Sequence, residues 1–495
     1  MTEISQEAED EALLHYATDP VGWCEDFLGV DLWGKQKDIL RALITHRSVA
    51  VASCHGVGKS FIAGCAALWR LYNFKPGRVV STAPTDRQVK EILWSEIRTL
   101  HSKARYPLGG RILTTAIELD EGWSAIGFTT RDDPTRFQGH HSPHMMVLVD
   151  EAAGVSENVR IGIAALLASG DVIELEIGNP TDPTSGFAKK FQRASVAKFA
   201  ISAFDTPNFT ELGITIEDIR SGAWEEKVEG RPLPRPYLVT PAWVRDRWEV
   251  WCGSREGGEA SPLWMARVLG QFPHEGPNQL LPLEWILAAG RRFEDGTPDP
   301  MAVPRVVAVD VARFGDDETV VVGRAGDRYK VTHAAHGHDT METAGHAKLA
   351  RRKIDASEIR VDVIGVGAGV VDRLAEDGEP VVAVNVSESP IEMVDETYRL
   401  RDEIFWNLRK KLQPPSTIAI EADDILVAQL SALTYKIPSD GKVKIESKDS
   451  MKARGLGSPD RADAVAMAAM DSIGAASGGG IDVSLGATTS SRESI

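Results

Sequence analysis

Short apolar runs alternate with amphipathic stretches in two separate parts of the chain, before residue 205 and after residue 301. The apolar runs are rich in β-branched residues, and the stretches between them place apolar residues at helical spacing. Strands that alternate with helices predict α/β units with mainly parallel sheets. The predicted strands are 48–53, 79–82, 145–149, 172–177, 305–310, 319–322, 329–332 and 359–364, and a helix is predicted at 61–72.

The segment between these two parts has a different composition. Residues 206–300 contain many prolines and tryptophans and no strand alternation, which predicts a mostly helical lid or linker subdomain. The Gly- and Ser-rich end, 474–495, has the composition of a disordered tail. We therefore expect four regions, 1–205, 206–300, 301–473 and 474–495.

Length and composition exclude several classes of protein. A chain of 495 residues exceeds what one hydrophobic core usually supports, so we expect two or three domains. No apolar run reaches the roughly 18 residues of a membrane span, and the acidic N-terminus lacks a signal-peptide pattern. The 4 cysteines show no metal-binding spacing, which favours a reduced, intracellular chain.

The net charge of −17 argues against a general nucleic-acid coat. It does not exclude a DNA enzyme, because local basic stripes matter more than the sum. Candidate stripes are 351–353, 409–411 and the lysines between 436 and 452, although short basic runs can equally be solvated helix faces.

A Gly-rich run between the first strand and the first helix predicts a phosphate-binding loop. Such a loop cradles phosphates with backbone N–H groups and follows them with Lys and then Ser or Thr. Lys59 would contact the β- and γ-phosphates, and Ser60 would bind Mg²⁺. Gly56 and Gly58 allow close backbone approach, whereas Ser53 replaces the usual first glycine.

Two acids at the end of strand 145–149 predict the partner of this loop. Asp150 would hold Mg²⁺, and Glu151 would polarise the attacking water. Together with the loop they predict an ATP-binding and ATP-hydrolysing unit.

Three further residues are candidates at the ATP site. Gln36 could read the adenine, or it could belong to a solvated helix start. Asn179 could sense the γ-phosphate. Arg136, with Arg131 as the second choice, could stabilise transition-state charge, which is worth roughly 10³–10⁵ in rate, or could form a structural salt bridge.

Acidic residues in the second α/β unit predict a two-metal nuclease. Asp310 ends a hydrophobic strand, Asp362 repeats this arrangement within the predicted strand 359–364, and Asp463 lies near a helix start. Such sites bring carboxylates from separate elements around two Mg²⁺ or Mn²⁺ ions about 4 Å apart. Asp460 is either a further ligand or a helix N-cap, and the neighbouring acids Asp316 and Asp317 are either assistants or turn residues.

A glycine run after Asp362, residues 365–369, also suggests a dinucleotide-binding loop. The third glycine of that fingerprint is missing, because Val370 follows Gly369. We therefore favour the nuclease interpretation.

With these motifs assembled, the chain resembles the large terminase subunit of tailed double-stranded DNA bacteriophages. The resemblance runs over nearly the whole length. It depends on the phosphate-binding loop, Thr82-Ala83-Pro84-Thr85, Gln138-Gly139-His140-His141, Asp150-Glu151, Gly178-Asn179-Pro180, Asp310, the run from Asp362 to Gly369, and Ser458-Pro459-Asp460 with Asp463.

This resemblance implies an N-terminal P-loop ATPase of the ASCE type and a C-terminal nuclease of the RNase H/integrase-like fold. It implies a motor that uses ATP to pump double-stranded DNA into a procapsid and cuts concatemers. The implied partners are the portal protein, the small terminase subunit and further copies of the chain, in a ring of five on the portal and compatible with a monomer in isolation. The implied location is the host cytoplasm and, transiently, the portal vertex, but not the mature virion.

Two other classes compete with this interpretation. A repair helicase-nuclease would need a second motor lobe, and 206–300 is too short and lacks the strand alternation for one. A non-catalytic scaffold with a degenerate ATPase is disfavoured by the intact Lys59, Asp150 and Glu151.

Overall fold

The structure is a computed structural model that describes residues 15–129, 137, 139–168, 170–252, 261–273, 278–312, 317–438, 441–454 and 456–471. Its chain forms two compact units, each assembled from separated segments. The first unit comprises Met1–Asp299, Arg409–Lys436 and Ile445–Ala462, and the second comprises Pro300–Leu408, Ile437–Lys444 and Asp463–Ile495. The expected tail, 474–495, lies outside the described residues.

An eight-stranded sheet forms the centre of the first unit. The β-branched runs predicted from the sequence occupy its middle and are fully buried. Its strands are β1 (Ser48–Ser53), β2 (Gly77–Thr82), β3 (Arg111–Ile112), β4 (Ala116–Asp120), β5 (Trp123–Gly127), β6 (His144–Asp150), β7 (Asp171–Gly178) and β8 (Ala197–Ile201).

The strand order in this sheet is β3-β4-β5-β2-β6-β7-β1-β8. The pairs from β5 to β8 are parallel, and only β3–β4 and β4–β5 are antiparallel. The carboxyl ends of β1, β6 and β7 therefore lie at one edge of the sheet. Because β7 lies between β1 and β6, the order is that of an ASCE-type P-loop fold.

Helices cover this sheet and fill the segment that follows it. Between 206 and 300 the described residues form helices and no strand, as the composition predicted. The helices are α1 (Pro20–Trp23), α2 (Gly34–Thr45), α3 (Lys59–Asn73), α4 (Trp94–Lys103), α5 (Glu157–Leu166), α6 (Gly186–Lys190), α7 (Pro207–Thr210), α8 (Ile216–Ser221), α9 (Trp224–Val228), α10 (Pro241–Cys252), α11 (Pro262–Arg267) and α12 (Leu283–Asp295).

The second unit contains a mixed sheet whose strands are neighbours in the order β13-β12-β9-β10-β11. The hairpin pairs are antiparallel, and β12 is parallel to both of its neighbours. This is the RNase H-like order. The elements are β9 (Arg305–Asp310), β10 (Thr319–Ala325), β11 (Arg328–Ala335), α13 (Thr340–Ile354), β12 (Glu358–Asp362), α14 (Gly367–Glu376), β13 (Val381–Val384) and α15 (Leu400–Leu412).

Short elements complete the chain. The predicted strand 359–364 ends earlier than expected, at Asp362. Among the described residues, no helix combines the length and the apolar character of a membrane span. The remaining elements are β14 (Ala419–Ile420), α16 (Asp424–Ala432), β15 (Tyr435–Lys436), β16 (Lys444–Ile445), α17 (Lys448–Ala453) and α18 (Asp460–Ala469).

Candidate nucleotide and metal sites

The predicted phosphate-binding loop connects β1 to α3. Gly56 and Gly58 have φ of 68° and 80°, in the left-handed region that favours glycine. A Cβ on Gly58 would lie 2.7 Å from Gln36 Nε2, so this glycine also permits a close approach. Lys59 Nζ donates to the Cys54 carbonyl at 3.2 Å, so its ammonium folds back over the loop.

Asp150 ends β6 next to this loop and is 2% exposed. Its Oδ2 faces Ser60 Oγ at 3.5 Å, and its Oδ1 accepts a hydrogen bond from the Glu151 backbone N–H at 3.0 Å. Burial and the neighbouring Glu151 raise the pKa of Asp150 to about 7, against the opposing effect of Lys59. A nearby cation stabilises the ionised form of a buried carboxylate of this kind, so the oxygens of Ser60 and Asp150 suit a hard divalent ion.

Glu151 has an unusual backbone conformation, with φ of 47°. A non-glycine residue in the left-handed region is uncommon, and such strain concentrates at functional sites. Arg160 of α5 holds the following turn, because it donates to the Ala152 carbonyl at 2.6 Å while pairing with Glu176 at 2.8 Å. Glu176 lies inside β7 and is 1% exposed. Sequence reasoning missed this buried pair, which fixes the turn beside Glu151.

The other predicted ATP-site residues contact the loop or the strand before it. Asn179 Nδ2 donates to the Ser53 carbonyl at 2.6 Å and so links the end of β7 to the end of β1. Gln36 Nε2 donates to the Val57 carbonyl at 3.3 Å, and its Oε1 faces the Trp33 N–H at 3.4 Å. Gln36 thus supports the loop backbone directly, and its contact with adenine stays a prediction.

Arg136 and Arg131 lie outside the described residues. Another arginine, Arg267, stands at the loop: its carbonyl accepts from the His55 N–H at 2.8 Å, and its guanidinium pairs with Asp424 at 3.1 Å. Burial lowers the pKa of Arg267, and the charges of Asp424 and Glu151 oppose that effect. Arg267 and Asp424 also line an open cavity of about 520 Å³ beside His55. The sequence offered no signal for Arg267, because no motif surrounds it.

The second site lies at the end of β9. One carboxylate oxygen of Asp310 and one of Asp463 lie within 4.8 Å of each other. Asp310 is 6% exposed, and Asp460 and Asp463 are one turn apart at the start of α18. Carboxylate oxygens gathered this closely suit hard divalent cations. The structure therefore brings together Asp310 and Asp463, two of the four predicted nuclease ligands.

Asp362 ends the strand beside β9. Because Val361 pairs with Val309 in parallel register, Asp362 and Asp310 follow each other at adjacent strand ends, about one strand spacing apart. Asp362 Oδ1 accepts a hydrogen bond from the Ile364 N–H at 3.0 Å. Its role as a ligand stays a prediction. Of the two turn acids, Asp316 lies outside the described residues, and Asp317 offers its carbonyl to His336 at 3.1 Å.

The glycine run after Asp362 has a structural explanation. A Cβ on Gly367 would lie 1.7 Å from the Asp362 carbonyl oxygen, so only glycine fits where α14 begins. This close packing accounts for the partial resemblance to a dinucleotide fingerprint.

Four cations surround the acidic helix, and of these only Lys448 falls in a basic stripe that the sequence singled out. Arg401 pairs with Asp463 at 3.2 Å, and Lys448 pairs with Asp460 at 3.1 Å. Two buried arginines, Arg324 of β10 and Arg360 of β12, donate to carbonyls at the C-terminal end of α18. Cations at a helix C-terminus are stabilising. They anchor α18 to the sheet and so fix the position of Asp463.

The chain combines an ASCE-type P-loop unit with an RNase H-like unit, and both units are α/β. This combination defines the class of the protein. The predicted resemblance to large terminase subunits is confirmed by a sequence comparison. The chain is 23% identical over 441 residues to the probable terminase, large subunit, of Enterobacteria phage P7, across 84% of this chain and 83% of that protein. No protein-family model matches the chain.

Solved structures align as well. The nuclease domain of the large terminase subunit gp2 of bacterial virus Sf6 is 24% identical, with a TM-score of 0.34, over 39% of this chain and 98% of that one. The HK97 bacteriophage large terminase is 12% identical, with a TM-score of 0.37, over 92% of this chain and 99% of that one.

Proposed function

We propose that this chain is a viral DNA-packaging motor that hydrolyses ATP to move double-stranded DNA into a procapsid and cleaves concatemeric DNA with a two-metal endonuclease. One observation carries the proposal. A phosphate-binding loop beside the buried Asp150 and its neighbour Glu151, and a separate carboxylate cluster at the end of an RNase H-like sheet, occur in the same chain. The similarity to the large terminase subunit of phage P7 supports it.

In the ATPase unit, the loop N–H groups and Lys59 would bind the phosphates of ATP. Ser60 and Asp150 would hold Mg²⁺, which supplies neutralisation of phosphate charge when bound. Glu151 would orient and polarise the attacking water from its strained position. Asn179, bonded to the Ser53 carbonyl, would relay loss of the γ-phosphate to β1.

At the proposed nuclease site, Asp310, Asp362, Asp460 and Asp463 would hold Mg²⁺, with Mn²⁺ as an alternative. When bound, these ions activate a water and stabilise charge on the scissile phosphate. Arg401 and Lys448 compensate the two helix carboxylates in the protein alone. We expect both cations to turn towards phosphate oxygens of DNA when ions take over the carboxylates.

The proposed assembly is a ring of the chain on the portal of a procapsid, with the small terminase subunit delivering DNA. The site of action would be the host cytoplasm and the portal vertex. DNA contacts would be largely to phosphates and therefore sensitive to salt.

The ATPase role is tested with Glu151→Gln. The variant keeps the size of the side chain but removes the charge that polarises water, so ATP turnover should be lost while nucleotide binding persists. The matched control is Glu157→Gln, an exposed glutamate six positions later. Retained turnover in Glu151→Gln would contradict the assignment.

The nuclease role is tested with Asp463→Asn in the full chain. Plasmid cutting in Mg²⁺ or Mn²⁺ should fall at least about 100-fold, because even residues behind metal ligands matter by 10–100-fold. ATP turnover should be unchanged. Asp355→Asn, a 93% exposed aspartate of the same unit, is the control and should cut normally. Equal cutting by the two variants would refute the site.

Packaging itself is tested by ATP-dependent protection of DNA in purified empty procapsids, with and without the chain. A motor that moves along intact duplex should not unwind a forked substrate. Unwinding without DNA uptake would instead support a helicase-nuclease.

A further inference from the structure

Three imidazoles converge in the second unit, outside the carboxylate site. His333 lies on β11, His338 in the turn that follows, and His346 on α13. One ring nitrogen from each lies within 4.8 Å of the others. The rings of His333 and His346 are stacked, with centroids 3.6 Å apart and planes 9° apart, and the His338 ring lies 4.9 and 5.4 Å from them.

Hydrogen bonding does not account for this convergence. His333 Nε2 and His338 Nδ1 are buried and have no hydrogen-bond partner among the residues that the structure describes. Buried polar atoms without partners are rare and call for an explanation. Glu342 Oε2 is the nearest carboxylate, 3.8 Å from His338 Nδ1, which is beyond hydrogen-bond distance.

The local electrostatics favour the neutral form of the His333 imidazole. Burial, followed by the charges of His346 and His338, lowers the pKa of His333. Neutral imidazole is the form that binds metals. Clustered imidazole nitrogens suit Zn²⁺ and similar transition metals, whereas Mg²⁺ prefers oxygen.

We propose that His333, His338 and His346 form a transition-metal site of the Zn²⁺ type, with Glu342 or water as the fourth ligand. Tetrahedral Zn–N bonds of about 2.0–2.1 Å require nitrogens about 3.3 Å apart, which is inside the observed limit. Small rotations of the three rings would aim them at one point. The proposal does not depend on the packaging function.

Strand register separates this site from the carboxylates. His333 pairs with Val321, which pairs with Val309, and both valines pack against α13. Successive side chains on a strand point to opposite faces, so Asp310 points away from the α13 face. An ion on the histidines therefore cannot share ligands with Asp310.

The backbone next to the three histidines contains an irregularity of a kind that is common at functional sites. A β-bulge lies between Val321 and Val322, opposite the residue before His333. Bulges re-aim side chains and are frequent next to functional sites. A metal here would tie β11 to the N-terminal half of α13, and we infer that it acts as a structural clamp on the nuclease unit.

The test uses the full-length chain carrying Asp310→Asn and Asp463→Asn, which removes the carboxylate site as a competitor. Co²⁺ is titrated in Mg²⁺-containing buffer while visible absorption is recorded, and Zn²⁺ is then used to displace it. We expect one equivalent of tetrahedral Co²⁺ with imidazole ligands. The four cysteines, 24, 54, 65 and 252, are all buried, so no thiolate band is expected.

His346→Gln in the same background should weaken Co²⁺ binding at least about tenfold. His336→Asn is the matched control, because it changes a more exposed histidine of the same turn that is not in the cluster, and it should bind normally. Equal affinity in His346→Gln and its parent, or no spectral change in the parent, would overturn the proposal.

A second measurement guards against misfolding of the variant. Zn²⁺ should raise the thermal midpoint of the parent and of His336→Asn but not that of His346→Gln. The thermal midpoint of each variant without Zn²⁺, compared with that of the parent, checks that the second unit is folded. A Zn²⁺ shift that persists in His346→Gln would assign the metal to another site.

Discussion

Asp150→Asn should make the protein without Mg²⁺ and nucleotide more stable at alkaline pH, although it removes a residue proposed for ATP hydrolysis. Burial and Glu151 raise the pKa of Asp150 from its ordinary value of 3.8 to about 7. A carboxyl whose folded pKa is raised costs stability wherever it is ionised in the unfolded chain. The cost is absent below the unfolded pKa, grows as pH rises towards 7, and is complete above it.

The magnitude follows from the size of this change. Each pKa unit corresponds to about 1.4 kcal/mol, so the full penalty is about 4 kcal/mol, of which less than half is already present at pH 5. The amide oxygen of Asn can still accept from the Glu151 N–H, so that bond changes little with the substitution. We expect the stabilisation by Asn to be about 2–3 kcal/mol larger at pH 8.5 than at pH 5, or about 5 °C in the midpoint of the first unit.

The assay is thermal unfolding of the whole chain in EDTA at the two pH values. Asp171→Asn is the control, and its effect on the melting midpoint at alkaline pH should have the opposite sign. Burial alone would raise the pKa of Asp171, but the hydrogen bond from His144 and the ion pair with Arg70 lower it. Its ionised form therefore stabilises the fold above the unfolded pKa, and Asp171→Asn should lower the midpoint at pH 8.5. A midpoint change for Asp150→Asn that is the same at both pH values would refute the reasoning.

Three further predictions concern the two sites. Gly58→Ala should destabilise the first unit by about 1–2 kcal/mol and weaken ATP binding, because the φ of Gly58 is 80°. Gly34→Ala is the control and should be nearly neutral in the same melting and binding assays, because a Cβ at Gly34 would meet open space. Arg401→Gln breaks a mostly buried ion pair, so it should lower the free energy of unfolding by about 3 kcal/mol in the absence of metal. It should also lower the Mn²⁺ concentration needed for DNA cutting by on the order of tenfold; unchanged metal dependence would contradict this. Arg267→Gln should lower kcat for ATP about 10²-fold with little change in nucleotide Kd. If Asp424→Asn causes the same loss, Arg267 has only a structural role.

The sequence was most informative at buried strand ends. Strand β1 was predicted with its observed bounds, and β6 and β9 were predicted to end near the acids that follow them. Long apolar runs leave little choice of conformation, and a carboxylate at the end of such a run is too costly to be incidental. The acids of the ATP site and the pair of Asp310 and Asp463 could therefore be predicted from this sequence alone.

Other parts of the sites depend on long-range packing that no local pattern encodes. Arg267 reaches Asp424 across more than a hundred and fifty positions, and Arg324 reaches the end of α18 across a similar gap. His333, His338 and His346 lie close together in the sequence, but their spacing matches no metal-binding motif, and their rings meet only when β11 and α13 pack together. Short strands such as β3 and β8 were also missed, because both residues of β3 are exposed and β8 alternates between exposed and partly buried positions, which gives a weak apolar signal.

Assembly of the first unit from three stretches of chain affects how its activities can be separated in the laboratory. A recombinant truncation ending near residue 299 would omit Asp424, the partner of Arg247 and Arg267, and would strip α16 from α10 and α12. Kinetic work on such a truncation would describe an enzyme in which residues beside the proposed nucleotide pocket are missing. Supplying residues 409–462 in trans, or inactivating one centre at a time in the intact polypeptide, avoids that artefact.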